Sequence, residues 1–143
     1  MKSKLVISIE AIIILVLSVY IFQNHSSNSA WEMKQIQVTA NQAAEAFNDA
    51  LSSNDEYTYN DATCKFLATY NAVCSISEHK GSRVQYAELM NEVYGRLLSD
   101  RSISKEAKTE IINALSAIQN DYNDHTLISG ILRKIISEID NPK

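Results

Sequence analysis

The hydrophobic pattern divides the chain into two unequal parts. After Met-Lys-Ser-Lys comes an unbroken apolar run, Leu5 to Phe22 (LVISIEAIIILVLSVYIF), interrupted by one charge, Glu10, and by two serines. Eighteen residues of helix cover about 27 Å, close to the roughly 30 Å hydrocarbon core of a bilayer. Beyond residue 23 the apolar positions become periodic. Met33, Ile36, Ala40, Ala43, Phe47 and Ala50 recur at alternating steps of three and four, which predicts a helix over 31–51 with a narrow, alanine-lined seam. Ser52-Ser53-Asn54-Asp55 ends it.

Four further helices are predicted. Asn60 or Asp61 caps the second, with Phe66, Tyr70, Val73 and Ser77 on one stripe and Ala62, Leu67 and Cys74 beside it. Glu78-His79-Lys80-Gly81 stops it. Ser82 caps the third, whose apolar positions are Tyr86, Met90, Val93 and Leu97, with Gly95 as a weak point. Ser104 begins the fourth, with Glu106 in its first turn and Ala107, Ile111, Ala114, Leu115, Ile118 and Tyr122 on its apolar face. The fifth follows a break at 120–124 and buries Leu127, Ile128, Ile131, Leu132, Ile135 and Ile139. No stretch alternates with period two. The expected class is all-α: one transmembrane helix followed by an extracytoplasmic bundle of four to five helices.

The expected organisation is a cytoplasmic stub (1–4), a transmembrane signal anchor (5–22), a polar hinge (23–30) and a helical domain (31–140). Lys2 and Lys4 precede the apolar run and no basic residue follows until Lys34, so the positive-inside rule keeps the N-terminus in the cytoplasm. The run exceeds the roughly 7–15 residues of a cleavable signal and is followed by Gln23-Asn24-His25 rather than a small-x-small site, which favours an uncleaved anchor. Tyr20 and Trp31 suit the outer interface. Glu10 is the polar residue of the membrane segment. It is read either as a protonated or snorkelling carboxyl, or as a contact to another membrane helix.

Composition narrows the function. The 143 residues carry a net charge of −4 with only three glycines and one proline. Too little basic charge is present for a nucleic-acid surface, and three scattered glycines cannot form a phosphate cradle. No HExxH, H-x₃-H or close Cys/His pair suggests a metal, and no cofactor is expected. His25, His79 and His125 are read as solvated residues at a hinge or helix ends. Glu88 and Glu92 lie four apart, which more often marks a wet helix face than an acid–base pair.

Three features remain as candidate sites. Cys64 and Cys74 would form a disulfide in an oxidising compartment only if the second helix breaks between them, because ten helical residues separate Cα atoms by about 15 Å and a disulfide needs roughly 4.4–6.8 Å. The alternative is two free, small core residues. Tyr57 and Tyr59 fall in a loop outside the apolar stripes and suit a protein interface. Ala40, Ala43 and Phe47 on the first seam would let a second helix approach closely, either within the domain or as a homo-oligomer through the helix after Trp31.

The expected protein is not an enzyme. It is a single-pass protein of the inner (cytoplasmic) membrane, N-terminus inside and C-terminal domain in the periplasm or cell exterior. There it serves as an adaptor or accessory subunit that binds another envelope protein. Two alternatives stand beside this reading: an inhibitor, such as an immunity or phage lysis-control protein, and a membrane-bound enzyme.

Overall fold

The computed structural model describes residues 17–18, 30–53, 55–80, 84–99 and 103–141. Apart from Leu17 and Ser18, which are helical, the apolar run at 5–22 with Glu10 and Tyr20 lies outside these residues, as do positions 23–29, Ser82 and Pro142. Among the described residues no helix is long and apolar enough to cross a membrane. The chain divides into two compact units, Met1–Met33 and Lys34–Lys143, and the helical core belongs to the second.

Among the described residues beyond 29 there are five helices and no strand. Helix α1 covers 30–52, so Ala30, expected in the hinge, is already helical. Helices α2 (Glu56–Lys80), α3 (Ala87–Ser99), α4 (Lys105–Asn120) and α5 (His125–Asp140) follow. The expected Asn60 or Asp61 cap of α2 is corrected to Asp55, whose carboxylate accepts from the amides of Tyr57 (3.3 Å) and Thr58 (3.4 Å). An aspartate that binds the amides two and three residues ahead starts the helix about one and a half turns earlier. A turn through Tyr86, closed by the Ala87 amide donating to the Val84 carbonyl (3.0 Å), delays α3. Ser104 caps α4 as the sequence predicts, and Asp124, within the predicted break, caps α5. Ser104 Oγ accepts from the Ala107 amide at 3.0 Å, and Asp124 accepts from the Leu127 amide at 3.0 Å.

Side-chain contacts fix the helix order. Phe47 of α1 meets Phe66 of α2 edge to face, with ring centroids 6.4 Å apart. Helix α2 packs on α3, α3 on α5, and α5 on α4. Lys108 of α4 closes the circuit by donating to the Ala50 carbonyl of α1 at 3.1 Å. Tyr59, near the start of α2, bonds Leu97, near the end of α3, so these two helices run antiparallel. Tyr86, just before α3, touches His125 at the start of α5, while Arg96 binds Asp140 at the far ends. Helices α3 and α5 are therefore parallel.

The buried residues repeat the helical spacings of the sequence. Ile36, Ala40, Ala43, Phe47 and Ala50 line α1; Ala87, Met90, Val93 and Leu97 line α3; Ile111, Leu115 and Ile118 line α4; Ile128, Leu132 and Ile135 line α5. Helix α2 departs from its predicted stripe. Tyr70 is only half-buried, whereas Thr63 and Thr69 are buried. Both hydroxyls donate to the carbonyl four residues back, Tyr59 at 3.0 Å and Lys65 at 3.2 Å. That local bond removes the main penalty of burying a polar side chain. Leu127, expected inside, is exposed.

The packing sets opposite expectations for three substitutions. Ala43 is fully buried, so Ala43→Leu should cost about 1–3 kcal/mol through overpacking. Gly95 and Gly130 lie within α3 and α5, and a Cβ at either would meet nothing within 4 Å. Gly95→Ala and Gly130→Ala should each stabilise by about 0.5–1 kcal/mol, because alanine restricts the unfolded chain and favours helix. Urea melts of the three variants check both signs together.

Candidate functional site

The seam residues Ala40, Ala43 and Phe47 are fully buried. All three are covered within the domain, where Phe47 meets Phe66 of α2. The seam thus belongs to the core.

The two candidate tyrosines separate. Both stand in the first turn of α2 rather than in a loop. Tyr57 is 78% exposed and projects into solvent. Tyr59 is only 4% exposed, and its hydroxyl donates to the Leu97 carbonyl at 3.1 Å, so its placement as a surface residue is corrected. A phenol ring accounts for this: it fills the gap between α2 and α3, and its polar tip reaches a backbone acceptor near the end of α3.

Helix α2 is continuous from Glu56 to Lys80, and Cys64 and Cys74 are both free. Of the two arrangements the sequence left open, this is the unbonded one. One part of it needs correction, because Cys64 is exposed and only Cys74 is half-buried. Among the described residues no group of three or more His, Cys, Asp or Glu is placed to hold a metal ion. His125, expected to be solvated, is half-buried, with its ring 5.5 Å from that of Tyr86 and its Nδ1 buried without a hydrogen-bond partner.

Sequence reasoning missed the polar contacts that tie the helices together. Arg96 forms a forked pair with Asp140, Nε to Oδ1 at 2.8 Å and Nη2 to Oδ2 at 2.9 Å, and it also binds Glu92 at 2.9 Å. Glu92 is therefore half of an ion pair rather than a partner for Glu88. The Asp140 pairing spans 44 residues, so only the i,i+4 contact with Glu92 was visible in the spacing. Lys134 reaches Glu110 at 2.6 Å between α5 and α4. Lys108 both caps α1 and lies over the Tyr59 ring, 5.8 Å from its centroid. Burial, with Lys105 adding to it, pushes the Lys108 ammonium below the usual lysine range. Tyr86 is fully buried and donates to the Tyr122 carbonyl at 2.9 Å. Its phenol is driven well above its ordinary range, chiefly by burial and then by Tyr122 and Asp121.

Among the described residues, two open depressions are lined as follows. One, of about 690 Å³, lies where the end of α1 meets Lys105, Glu106 and Glu110 of α4 and Lys134 and Glu138 of α5. The Lys134–Glu110 ion pair neutralises two of its charges. The other, of about 410 Å³, is lined mainly by amides, Gln37, Asn41, Gln42 and Gln119, beside Glu45. Neither brings together a nucleophile, a base and an oxyanion donor of the kind a catalytic site needs. What the second unit presents is a mixed polar surface on a rigid helical frame. No family model, curated protein or solved structure matches this chain.

The two tyrosines and two cysteines give a sharp test. Tyr59→Phe should lower stability by about 0.5–1.5 kcal/mol, while Tyr57→Ala should stay within about 0.5 kcal/mol. Cys64 should react with an alkylating reagent before Cys74, without prior reduction. An intramolecular Cys64–Cys74 bond in the purified protein contradicts the continuous helix.

The Arg96 pair fixes a pH response. The hydrogen bond from Arg96, aided by its charge, holds the Asp140 carboxyl below the ordinary carboxylate value. A carboxylate depressed in the folded state adds stability above its unfolded pKa, and that stability is lost as pH falls through the folded value. Asp140 should therefore titrate below the normal range by NMR in the native protein. In Arg96→Met it should return toward that range.

Proposed function

We propose that the protein is a single-pass, membrane-anchored helical interaction protein, an adaptor or accessory subunit of an envelope assembly. The reading rests on one juxtaposition. Lys2 and Lys4 precede an eighteen-residue apolar run, and this joins a helical unit with its own apolar core. The basic residues before the run place the N-terminus inside and the helical unit in the periplasm or cell exterior.

An interaction role also suits the state of the charged side chains. Arg96, Asp140, Glu92, Lys134, Glu110, Lys65 and Asp61 are engaged in ion pairs with one another. These pairs brace the frame, and the polar surface around them, together with the exposed Tyr57, is what the domain offers a partner. The partner in this reading is another protein of the same envelope, with no nucleic acid and no cofactor.

A reporter fused after Lys143 should be active only outside the cytoplasm, and the intact mass of the membrane-extracted protein should include the first thirty residues. Detergent extraction and affinity capture should then recover a defined envelope protein in fixed stoichiometry. Recovery of only a soluble form beginning near Trp31 defeats the anchor. Protection of cells from a co-expressed toxin, hydrolase or pore former, without such co-purification, favours the inhibitor reading instead.

A further inference from the structure

Helix α2 differs from the other helices in what it shows to solvent. Among α2–α5 it packs only on α3, and α1 reaches it through Phe47. Between Tyr57 and Ser75 its exposed residues are Tyr57, Asn60, Cys64, Ala68, Asn71 and Ser75. At about 100° per residue all six fall within an arc of about 80°, along about 27 Å of helix. None of them is charged. The outward faces of α3, α4 and α5 carry exposed charges such as Glu88, Glu106 and Arg133. A helix face that meets only water is the charged and polar one. Depletion of charge beside an exposed aromatic, here Tyr57 at 78%, is the composition of an interface core.

The order of residues along the face says what covers it. Tyr57 and Asn71 lie seven residues on either side of Cys64. Asp61 and Lys65 border one edge of the face, 2.7 Å apart and with side chains 41% and 43% exposed in the order Lys65, Asp61. A second α2 laid antiparallel, with a two-fold axis beside Cys64, matches this pattern to itself. Tyr57 then faces Asn71 of the second copy, so a bulky group meets a smaller, hydrogen-bonding one at each end. The charged edge stays on the same side of both helices. Asp61 comes within about 3 Å, along the axis, of Lys65 of the second copy, and the reciprocal pair forms with it. A parallel pair has neither match, because Tyr57 meets its own counterpart and the charged edges fall on opposite sides.

We infer that the outer face of α2 is a homodimer surface, occupied by α2 of a second copy in antiparallel register about Cys64. Its area sets its strength. A strip about 27 Å long and about 10 Å wide gives about 300 Å² per copy, well under the roughly 800 Å² of a standard interface. The dimer is therefore weak and exchanging. The inference stands on the helical unit by itself and goes beyond the adaptor reading without needing the anchor.

Cys64 is a built-in probe, because helix axes 8–10 Å apart bring facing Cα atoms to about 3–5 Å. The experiment treats the full chain carrying Cys74→Ser, in mild detergent, with a short bis-maleimide. A covalent dimer through Cys64 is expected. A control that moves the thiol to the exposed face of α5, by Cys64→Ser with Ser137→Cys, should give far less. In chains lacking both native cysteines, Tyr57→Cys mixed with Asn71→Cys should cross-link, and neither should link to itself. Ala68→Arg puts an unpaired charge into the interface and should cut the Cys64 yield about tenfold or more, with the melting temperature unchanged. Asn71→Arg replaces it if Ala68→Arg melts without cooperativity. Equal yields at Cys64 and at position 137 overturn the inference, since random collision then explains both. Survival of the Cys64 dimer in the arginine variants overturns it as well. So does a missing Tyr57→Cys with Asn71→Cys product, or self-linking of Tyr57→Cys, which signals a parallel pair. None of these outcomes bears on the anchor, which the reporter fusion and intact mass test separately.

Discussion

The bundle depends on the alanine seam of α1. Ala40, Ala43 and Ala50, with Ile36 and Phe47, are buried to the last few per cent or completely. A methyl side chain takes little room, so neighbouring helices can come close to the α1 backbone, and Phe47 fills the wider space by meeting Phe66 edge to face. Helices in proteins draw most of their stability from packing rather than from their own hydrogen bonds, so each element here depends on its apolar stripe being covered. Helix α1 meets α2 through Phe47 and α4 through Lys108, so it joins the two ends of a circuit that otherwise runs α2, α3, α5, α4.

Polar contacts finish what apolar burial begins. A packed stripe specifies which face is inside but constrains sliding along the helix axes weakly. In this bundle the axial positions are set near helix ends by groups that reach a single acceptor. Tyr59 reaches the Leu97 carbonyl, Lys108 the Ala50 carbonyl, Tyr86 the Tyr122 carbonyl, and Arg96 the Asp140 carboxylate. Three of these acceptors are backbone carbonyls close to the end of a helix or in the turn that follows one, where such groups lack intrahelical partners. A shift of one residue along any axis would break the corresponding bond. The surface that remains is polar and mixed in sign, with exposed apolar residues such as Val38, Leu98 and Leu127 that are ordinary on a protein surface when single.

The functional reading gains its shape from the contrast between this frame and the segment before it. The second unit carries its own apolar core. The apolar run, with two lysines ahead of it, has the opposite character.

For the described residues, the sequence by itself determined the all-helical class, the five amphipathic helices beyond residue 29, the cap at Ser104, and most of the buried positions in α1, α3, α4 and α5. Those are local properties: a period of 3.6 and a side chain that binds an amide three residues ahead are complete within one segment. Helix α2 was less legible because its buried face includes Thr63 and Thr69, whose hydroxyls are satisfied by the helix itself and so break the apolar pattern without breaking the core. Tertiary structure alone decided that Tyr59 is inside and Tyr57 outside, although they are two residues apart in the same turn. It also decided that Arg96 serves Asp140, and that the alanine seam is covered by the chain's own helices. Each of these outcomes depends on a group tens of residues away, and its position exists only once the helices have packed.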